Sequence, residues 1–390
     1  MINRTIEPIL RDLADSYPVV TITGPRQSGK TTLCRKVFPD MPYVNLESPD
    51  QRQFALEDPK GFLSPYSKGV ILDEIQRTPE LLSYIQVLVD ERKHPGQFIL
   101  TGSQQFEVMS TISQSLAGRT ALLKLLPLSI IELQGKYGRM PIDRLLLNGF
   151  YPRIYDQGLN PTQALGDYIV TYVERDIRQL AAIKDLSLFE RFLKLCAGRV
   201  GQVLNLQSLG NDAGVSHTTV RSWLSLLEAG YVIFLLPPWF RNISKRLIRS
   251  PKLYFYDVGL ACYLLGLQKE NHVSRDPLRG NLFENLVVIE ALKFRFNKGL
   301  QSNLSFYRDT GGHEVDLIIE VGPDIFPLEI KAGETVSADS FRGLKSFARV
   351  IPEWPYGGGL IYGGMEKQTR SNVKVFPVMS IHELLDSIAS

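Results

Sequence analysis

Cysteine is scarce in this chain of 390 residues. Cys34, Cys196 and Cys262 are the only three, and they lie far apart. An odd, scattered set speaks against a disulfide framework, and no two have the spacing of metal ligands, so reduced thiols are expected. An excess of one charge is also missing. The 44 basic and 41 acidic side chains leave a formal net charge of +3. That is too mild for a chain that is basic throughout, so any anion-binding surface must be local. Long apolar runs are absent as well. No stretch approaches the roughly eighteen residues of a membrane helix. The nearest, residues 231–240, is broken by Pro237 and Pro238. The first apolar stretch, residues 18–22, is short and runs into a glycine loop, unlike a secretory leader. A cytoplasmic protein with no membrane partner is expected. What remains is an ordinary globular composition, 44% hydrophobic and 22% charged, long enough for two or three domains.

Residues 18–23 (PVVTIT) are apolar and β-branched, as a buried parallel strand requires. Gly24, Pro25, Arg26, Gln27, Ser28, Gly29, Lys30 and Thr31 follow and fit G-x-x-x-x-G-K-[ST], with Thr32 opening a helix. Strand, glycine loop and helix in that order make a phosphate-binding loop. The glycines let backbone N–H groups turn toward phosphate oxygens, and the helix N-terminus adds partial positive charge. Lys30 supplies a point charge to the β- and γ-phosphates, and Thr31 can ligate Mg²⁺. ATP and Mg²⁺ are the implied cofactors. Residues 69–74 (GVILDE) read as a strand ending in two acids. Asp73 is placed to hold the Mg²⁺ shell, and Glu74 to act as general base on the attacking water. The bland alternative is a strand that ends in a solvated acidic turn. A further strand, residues 97–101, leads to Ser103, a candidate γ-phosphate sensor, although Thr-Gly-Ser is also ordinary turn chemistry.

In the middle of the chain, residues 205–213 and 217–228 read as two helices joined by a turn, with Ser216 as an N-cap. Val220, Trp223, Leu224 and Leu227 fall on one face of the second, while His217, Thr218, Thr219, Arg221 and Ser222 fall elsewhere. Strands are expected at 231–236 and 253–256. The connection between them carries Arg241, Lys245, Arg246, Arg249 and Lys252 without an acid. The pattern resembles a helix-turn-helix followed by the wing of a winged helix, which implies DNA as partner through the second helix and the basic loop 241–252. Winged helices also dock proteins, and a basic run is often only a solvated face.

Residues 282–292 read as a helix, with strands at 304–308, 313–320 and 325–331. Glu329 and Lys331 are two apart and share a strand face. Asp316, between apolar neighbours, is costly to bury without a partner. Asp, Glu and Lys converging on a sheet invite a Mg²⁺ or Mn²⁺ site, with the lysine set to activate water. The alternative is a buried Glu–Lys pair that only stabilises the fold.

Read together, these segments resemble known families. The strands at 18–23, 43–46, 70–72, 97–101 and 120–126 resemble the core of AAA+ ATPases. That resemblance implies a helical lid after the core and a trans-acting arginine just before the fifth strand. Arg119 holds that position, which implies a homo-oligomer; the alternative is an arginine capping a helix C-terminus. Arg153 and Arg175 are candidates for a second arginine sensor. The last segment resembles the PD-(D/E)XK nucleases, which implies Glu284 as helix carboxylate, Asp316 and Glu329 as metal ligands and Lys331 as catalytic lysine. No proline precedes Asp316, a departure from that pattern. GPRQSGKTT, VILDEIQ, LTGS, SLAGR, YVERDI, LYFYDVGL, GNLFE, EVDL and LEIKAG together resemble a prokaryotic AAA-type ATPase family with a nuclease-like C-terminal domain. The expected fold class is α/β: an AAA+ P-loop core at 1–127, a helical lid at 128–185, a winged helix at 186–268 and a PD-(D/E)XK-like domain at 269–390. The expected function is ATP hydrolysis by an AAA+ protein acting on DNA, with a metal-dependent nuclease domain. The alternatives are an ATP-dependent DNA-binding switch that does not cut and a signalling or assembly ATPase with protein partners.

Overall fold

A computed structural model describes residues 2–103, 115–174, 185–240, 250–309, 311–351, 357–370 and 372–389. The chain divides into two compact units. One comprises Met1–Leu128, Ala229–Tyr231 and Phe296–Leu300; the other comprises Ser129–Glu228, Val232–Arg295 and Gln301–Ser390.

The first unit runs α1 (Glu7–Ser16), β1 (Val19–Thr23), α2 (Lys30–Val37), β2 (Tyr43–Asn45), α3 (Pro49–Glu57), α4 (Pro59–Leu63), β3 (Val70–Asp73), α5 (Leu81–Arg92), β4 (Phe98–Gly102) and β5 (Thr120–Lys124). The five strands form one sheet in the order β2-β3-β4-β1-β5, and every pairing is parallel. All positions of β1, β3 and β4 are buried, the consequence of helices on both faces. Alternation sorts the side chains into two cores. Leu72, Phe98 and Leu100 pack with Ile85 on one face. Val20, Ile22, Ile71 and Ile99 pack with Leu10 and Leu33 on the other. These are the five strands expected, with β5 ending two residues early and the other bounds differing by one residue. The order brings the carboxyl ends of β1, β3 and β4 to one rim, where parallel α/β sheets bind ligands.

The second unit opens with short helices. Ile130–Tyr137 begins at a capping box, in which Ser129 and Glu132 each take the other's backbone N–H. Ile142–Asn148, Pro152–Asp156 and Pro161–Tyr168 follow, then a π-helical stretch, Ile169–Glu174. Helices therefore occupy the described part of the segment expected as a lid. Arg153 lies on the helix Pro152–Asp156, bonded to Gln157 at 3.0 Å. Arg175 lies outside the described residues.

Helices Leu186–Ala197, Leu206–Ala213 and His217–Ala229 come next. Ser216 Oγ accepts the Thr219 N–H at 3.1 Å, the cap expected from sequence. Trp223 meets Phe189 and Phe192 edge-on, so the apolar face of the last helix packs on the first. β6 (Ile233–Leu236) and β7 (Lys252–Phe255) pair antiparallel. The first of these strands was expected from residue 231. Tyr231 instead takes φ +56, outside the extended region, and stands before the strand. It belongs to the first unit, where its hydroxyl and that of Thr23 lie 2.9 Å apart. Arg241, Lys245, Arg246 and Arg249 lie outside the described residues.

The long helix Arg279–Asn297 leads to a six-stranded sheet. β8 (Leu304–Arg308), β9 (Glu314–Val321) and β10 (Asp324–Lys331) form an antiparallel meander. The helix Arg342–Val350 connects to β11 (Gly358–Tyr362), parallel to β10. β12 (Gln368–Arg370), β13 (Val373–Pro377) and the helix Ile381–Ala389 complete the unit, and sequence reasoning did not anticipate them. Among the described residues, no helix is long and apolar enough to cross a membrane.

Candidate functional site

The glycine loop leaves β1 through backbone shapes that its residue types permit. Gly24 sits at φ +151, and a Cβ there would overlap the Leu125 carbonyl. Gly29, at φ +94 and ψ +22, caps α2. Lys30 is buried, and its Nζ donates to the carbonyls of Gly24 at 2.9 Å and Pro25 at 2.8 Å. Burial lowers its pKa, with Glu74 and Asp73 pulling the other way. A buried ammonium resting on two neutral carbonyls is short of anionic partners, which phosphate would supply. Among the described residues, the buried Ser28 hydroxyl has no hydrogen-bond partner. Both observations fit a loop that takes a nucleotide. Arg26 stands 3.5 Å from Glu47, while Gln27 and Thr32 face solvent.

The strand ends complete this rim. Thr31 and Tyr43 each donate a hydroxyl hydrogen to Asp73 Oδ2 at 2.7 Å, and Thr101 donates to Oδ1. Burial first, and then the Asp73 carboxylate, push the Tyr43 hydroxyl up. Glu74 takes φ +58 and ψ +49, a left-handed conformation unusual for a residue with a side chain. Its Oε2 accepts Ser103 Oγ at 3.0 Å and the Gln76 amide. Such outliers persist where surrounding contacts over-determine them, often at functional sites. Arg119 holds both carboxylate oxygens of Asp90 at 2.6 and 2.8 Å and reaches the Ala117 carbonyl at 3.1 Å. With Asp90 exposed and Arg119 half-buried, that pair is only weakly held.

A second constellation lies in the other unit. Period-two alternation puts Glu314 beside Asp316 on β9, Glu329 beside Lys331 on β10, and Lys252 beside Tyr254 on β7. Lys252 Nζ lies 2.7 Å from Glu284 Oε1 and also bonds Glu314, with the Phe306 ring 5.5 Å away. Tyr254 donates to the same Glu284 oxygen at 2.5 Å. Asp316 Oδ2 accepts the Ile330 N–H at 2.8 Å and Lys331 Nζ at 3.3 Å; Lys331 also lies 2.7 Å from Glu329 Oε2. Gly343 is the point where the following helix touches this cluster, since a Cβ there would overlap Glu329 Oε1 and the Glu314 carbonyl.

Among the described residues, oxygens of Glu284, Glu314 and Asp316 lie within 4.8 Å of one another, close enough to share a cation. The sequence reading grouped Glu284, Asp316 and Glu329. The structure brings the first two together with Glu314, and joins Glu329 to Asp316 directly and through Lys331, which bonds both. Burial, reinforced by Asp316, raises the carboxyls of Glu284 and Glu329, although Lys252 and Lys331 oppose the shift. Such carboxylates are short of positive charge, and their hard oxygens suit Mg²⁺ or Mn²⁺.

Lys252 requires a correction. Sequence reading put it in a solvent-facing basic loop, but it is 2% exposed on β7. Burial alone would lower its pKa; Glu284, Asp316 and Glu314 outweigh that and raise it. An ammonium enters an interior when carboxylates there neutralise it. Glu314, Tyr254 and Lys252 were all missed as members of this cluster. Only Glu314 carried a readable signal, two residues ahead of Asp316.

Comparison with known proteins now places the chain. Residues 16–134 match the model of an AAA domain. Residues 140–271 and 279–381 match two domains of unknown function, DUF8612 and DUF4143. Uncharacterized protein Rv2008c of Mycobacterium tuberculosis and Uncharacterized protein Mb2031c of Mycobacterium bovis are each 34% identical over 332 residues, 84% of this chain and 73% of theirs. The chain belongs to their family, and its first unit carries an AAA-type P-loop ATPase domain. Among solved structures, the Walker-type ATPase PABY2304 of Pyrococcus abyssi is 14% identical with a TM-score of 0.45, covering 68% of this chain and 96% of that one. AMPPCP-bound DnaA from Aquifex aeolicus is 19% identical with a TM-score of 0.31, covering 57% and 85%. In this ATPase family member the nucleotide rim is assembled within the first unit, and the carboxylate–lysine cluster within the second.

Proposed function

We propose that this AAA-type protein hydrolyses ATP in an oligomer to act on DNA, and that its second unit cleaves phosphodiesters at a metal-dependent site. The convergence of Glu284, Glu314 and Asp316 beside Lys331 carries the cleavage reading. Lys30 and the N–H groups of the glycine loop would hold the ATP phosphates, with Ser103 placed to sense the γ-phosphate. Thr31 and Asp73 would hold the Mg²⁺ between them. Glu74, once released from Ser103 and Gln76, orients and deprotonates the attacking water. Arg119 exchanges Asp90 for the γ-phosphate of a neighbouring copy. The segment 186–268 is read as a winged helix that grips DNA through the helix His217–Ala229 and the basic residues 241–249, and the segment from 269 onward as a PD-(D/E)XK-like domain. At the Glu284, Glu314 and Asp316 oxygens, a divalent cation would polarise a phosphate oxygen and acidify bound water. Lys331, paired with Glu329, is placed to position that water.

A second reading has its own support. Lys252 already stands between Glu284 and Glu314, where a cation would bind, and this favours a DNA-bound switch that does not cut. The deciding experiment incubates the protein with linear, circular, single-stranded and branched DNA, with Mg²⁺ or Mn²⁺, with and without ATP, beside Asp316→Ala. Cleavage lost in the variant supports the nuclease. A mobility shift without cleavage supports the switch, and the absence of both effects refutes the DNA role and favours protein partners.

A further inference from the structure

We infer that Arg4 is a positioning residue of the nucleotide site, setting the peptide plane through which the glycine loop presents the Gly29 N–H. This rests on the ATPase domain described above. Arg4 lies ahead of α1 and is 8% exposed. Its Nη1 donates to the Ser28 carbonyl at 2.7 Å and its Nη2 to the Leu126 carbonyl at 2.6 Å. Its own backbone N–H donates to Glu7 Oε1 at 2.8 Å, and the same oxygen takes Lys36 Nζ of α2 at 2.6 Å. The N-terminal segment thus holds both the back of the loop and the helix into which the loop leads.

The peptide between Ser28 and Gly29 is trans, like every other described peptide. In a trans peptide the C=O and the following N–H point in opposite directions. A guanidinium fixed on the Ser28 carbonyl therefore aims the Gly29 N–H away from itself. Gly29 opens α2, so this N–H belongs to the unpaired donors with which a helix N-terminus receives phosphate. Glycine has no Cβ to resist rotation of that plane, so the orientation needs a hold from outside the loop. Arg4 supplies it as a fork across two carbonyls, a geometry that a lysine ammonium does not reproduce.

The test titrates ATP with Mg²⁺ into wild type, Arg4→Met, Arg4→Lys and Ile6→Ala, with thermal unfolding of each protein free of nucleotide. Ile6 is fully buried in the same segment, but its apolar side chain holds no carbonyl. Arg4→Met is expected to bind ATP about tenfold more weakly, with Arg4→Lys intermediate. Ile6→Ala keeps wild-type affinity within about twofold even where its midpoint falls as far. The loss sits in KM, with kcat at saturating ATP nearly unchanged, because loop amides hold ground and transition states alike. Wild-type affinity in Arg4→Met overturns the inference, as does an equal loss in Ile6→Ala at a matched midpoint. If Arg4→Met does not fold, Arg4→Lys against Ile6→Ala decides in the same way. Failure of wild type to bind ATP would instead refute the nucleotide site itself.

Discussion

The ammonium of Lys252 and the carboxylate of Glu284 form a buried ion pair 2.7 Å long between β7 and the helix Arg279–Asn297. Removing one partner of such a pair leaves the other charge buried without compensation. Lys252→Met should therefore cost about 3–5 kcal/mol of stability, read by urea denaturation. Lys252→Met combined with Glu284→Gln should recover part of that loss, because the orphaned carboxylate is gone. Mn²⁺ should stabilise Lys252→Met more than wild type if a divalent ion takes the place of the ammonium. Equal stabilisation of both proteins would argue that the three carboxylates do not share a metal.

The nucleotide rim predicts a separation of binding from turnover. Lys30→Ala removes the only side-chain cation of the loop that is buried within it, and should abolish ATP binding. Glu74→Gln keeps the hydrogen-bonding shape but cannot take a proton. It should bind ATP and lose about 10²–10⁴-fold in turnover. Normal turnover in Lys30→Ala would sink the assignment of this loop, and normal turnover in Glu74→Gln would move the general base elsewhere.

How much of this was legible in sequence depended on chain distance. The glycine loop is contiguous, so residue type and spacing placed Lys30 and Thr31 directly. The five strands were readable because burial on both faces imposes apolar, β-branched runs. Asp316, Glu329 and Lys331 were readable because period-two alternation puts them on shared faces. Lys252 was not. Its charge looked like that of the basic residues before it, and its partners Glu284 and Glu314 lie on elements far along the chain. Arg4 and Tyr231 were hidden for the same reason. Each meets a group remote in sequence, Arg4 the Ser28 carbonyl and Tyr231 the Thr23 hydroxyl.

Asp257 gives a pH prediction. It is 1% exposed, caps the helix Val258–Leu264 and accepts the Phe150 N–H at 2.7 Å. Burial raises its carboxyl from 3.8 to about 6, against the pull of Lys293 and the backbone N–H groups. The folded state therefore keeps a proton that the unfolded chain releases near 3.8. The group's favourable contribution is full below that pH and is lost as pH rises through about 6. Asp257→Asn cannot lose the proton. Relative to wild type it should gain about 2–3 kcal/mol between pH 4 and pH 8. A difference that does not change with pH would show that Asp257 is ionised in the fold throughout.

The contact between Arg119 and Asp90 gives a test of the proposed oligomer and of an arginine acting across it. Asp90 is exposed and Arg119 half-buried, so Asp90 holds the guanidinium only weakly, and in the proposed oligomer a neighbour's phosphate could compete for it. Arg119→Ala should bind ATP normally and lose about 10³-fold or more in turnover. Asp90→Ala should leave turnover equal or raised, because it frees the arginine. Mixing Arg119→Ala with Glu74→Gln subunits gives the decisive comparison. Each is inactive alone, but a mixed interface pairs the intact Glu74 of one copy with the intact Arg119 of the other, and turnover should return in proportion to such interfaces. Recovery that disappears on dilution would tie the activity to assembly. Unchanged turnover in Arg119→Ala alone would reduce the arginine to the cap that its bond to the Ala117 carbonyl also describes.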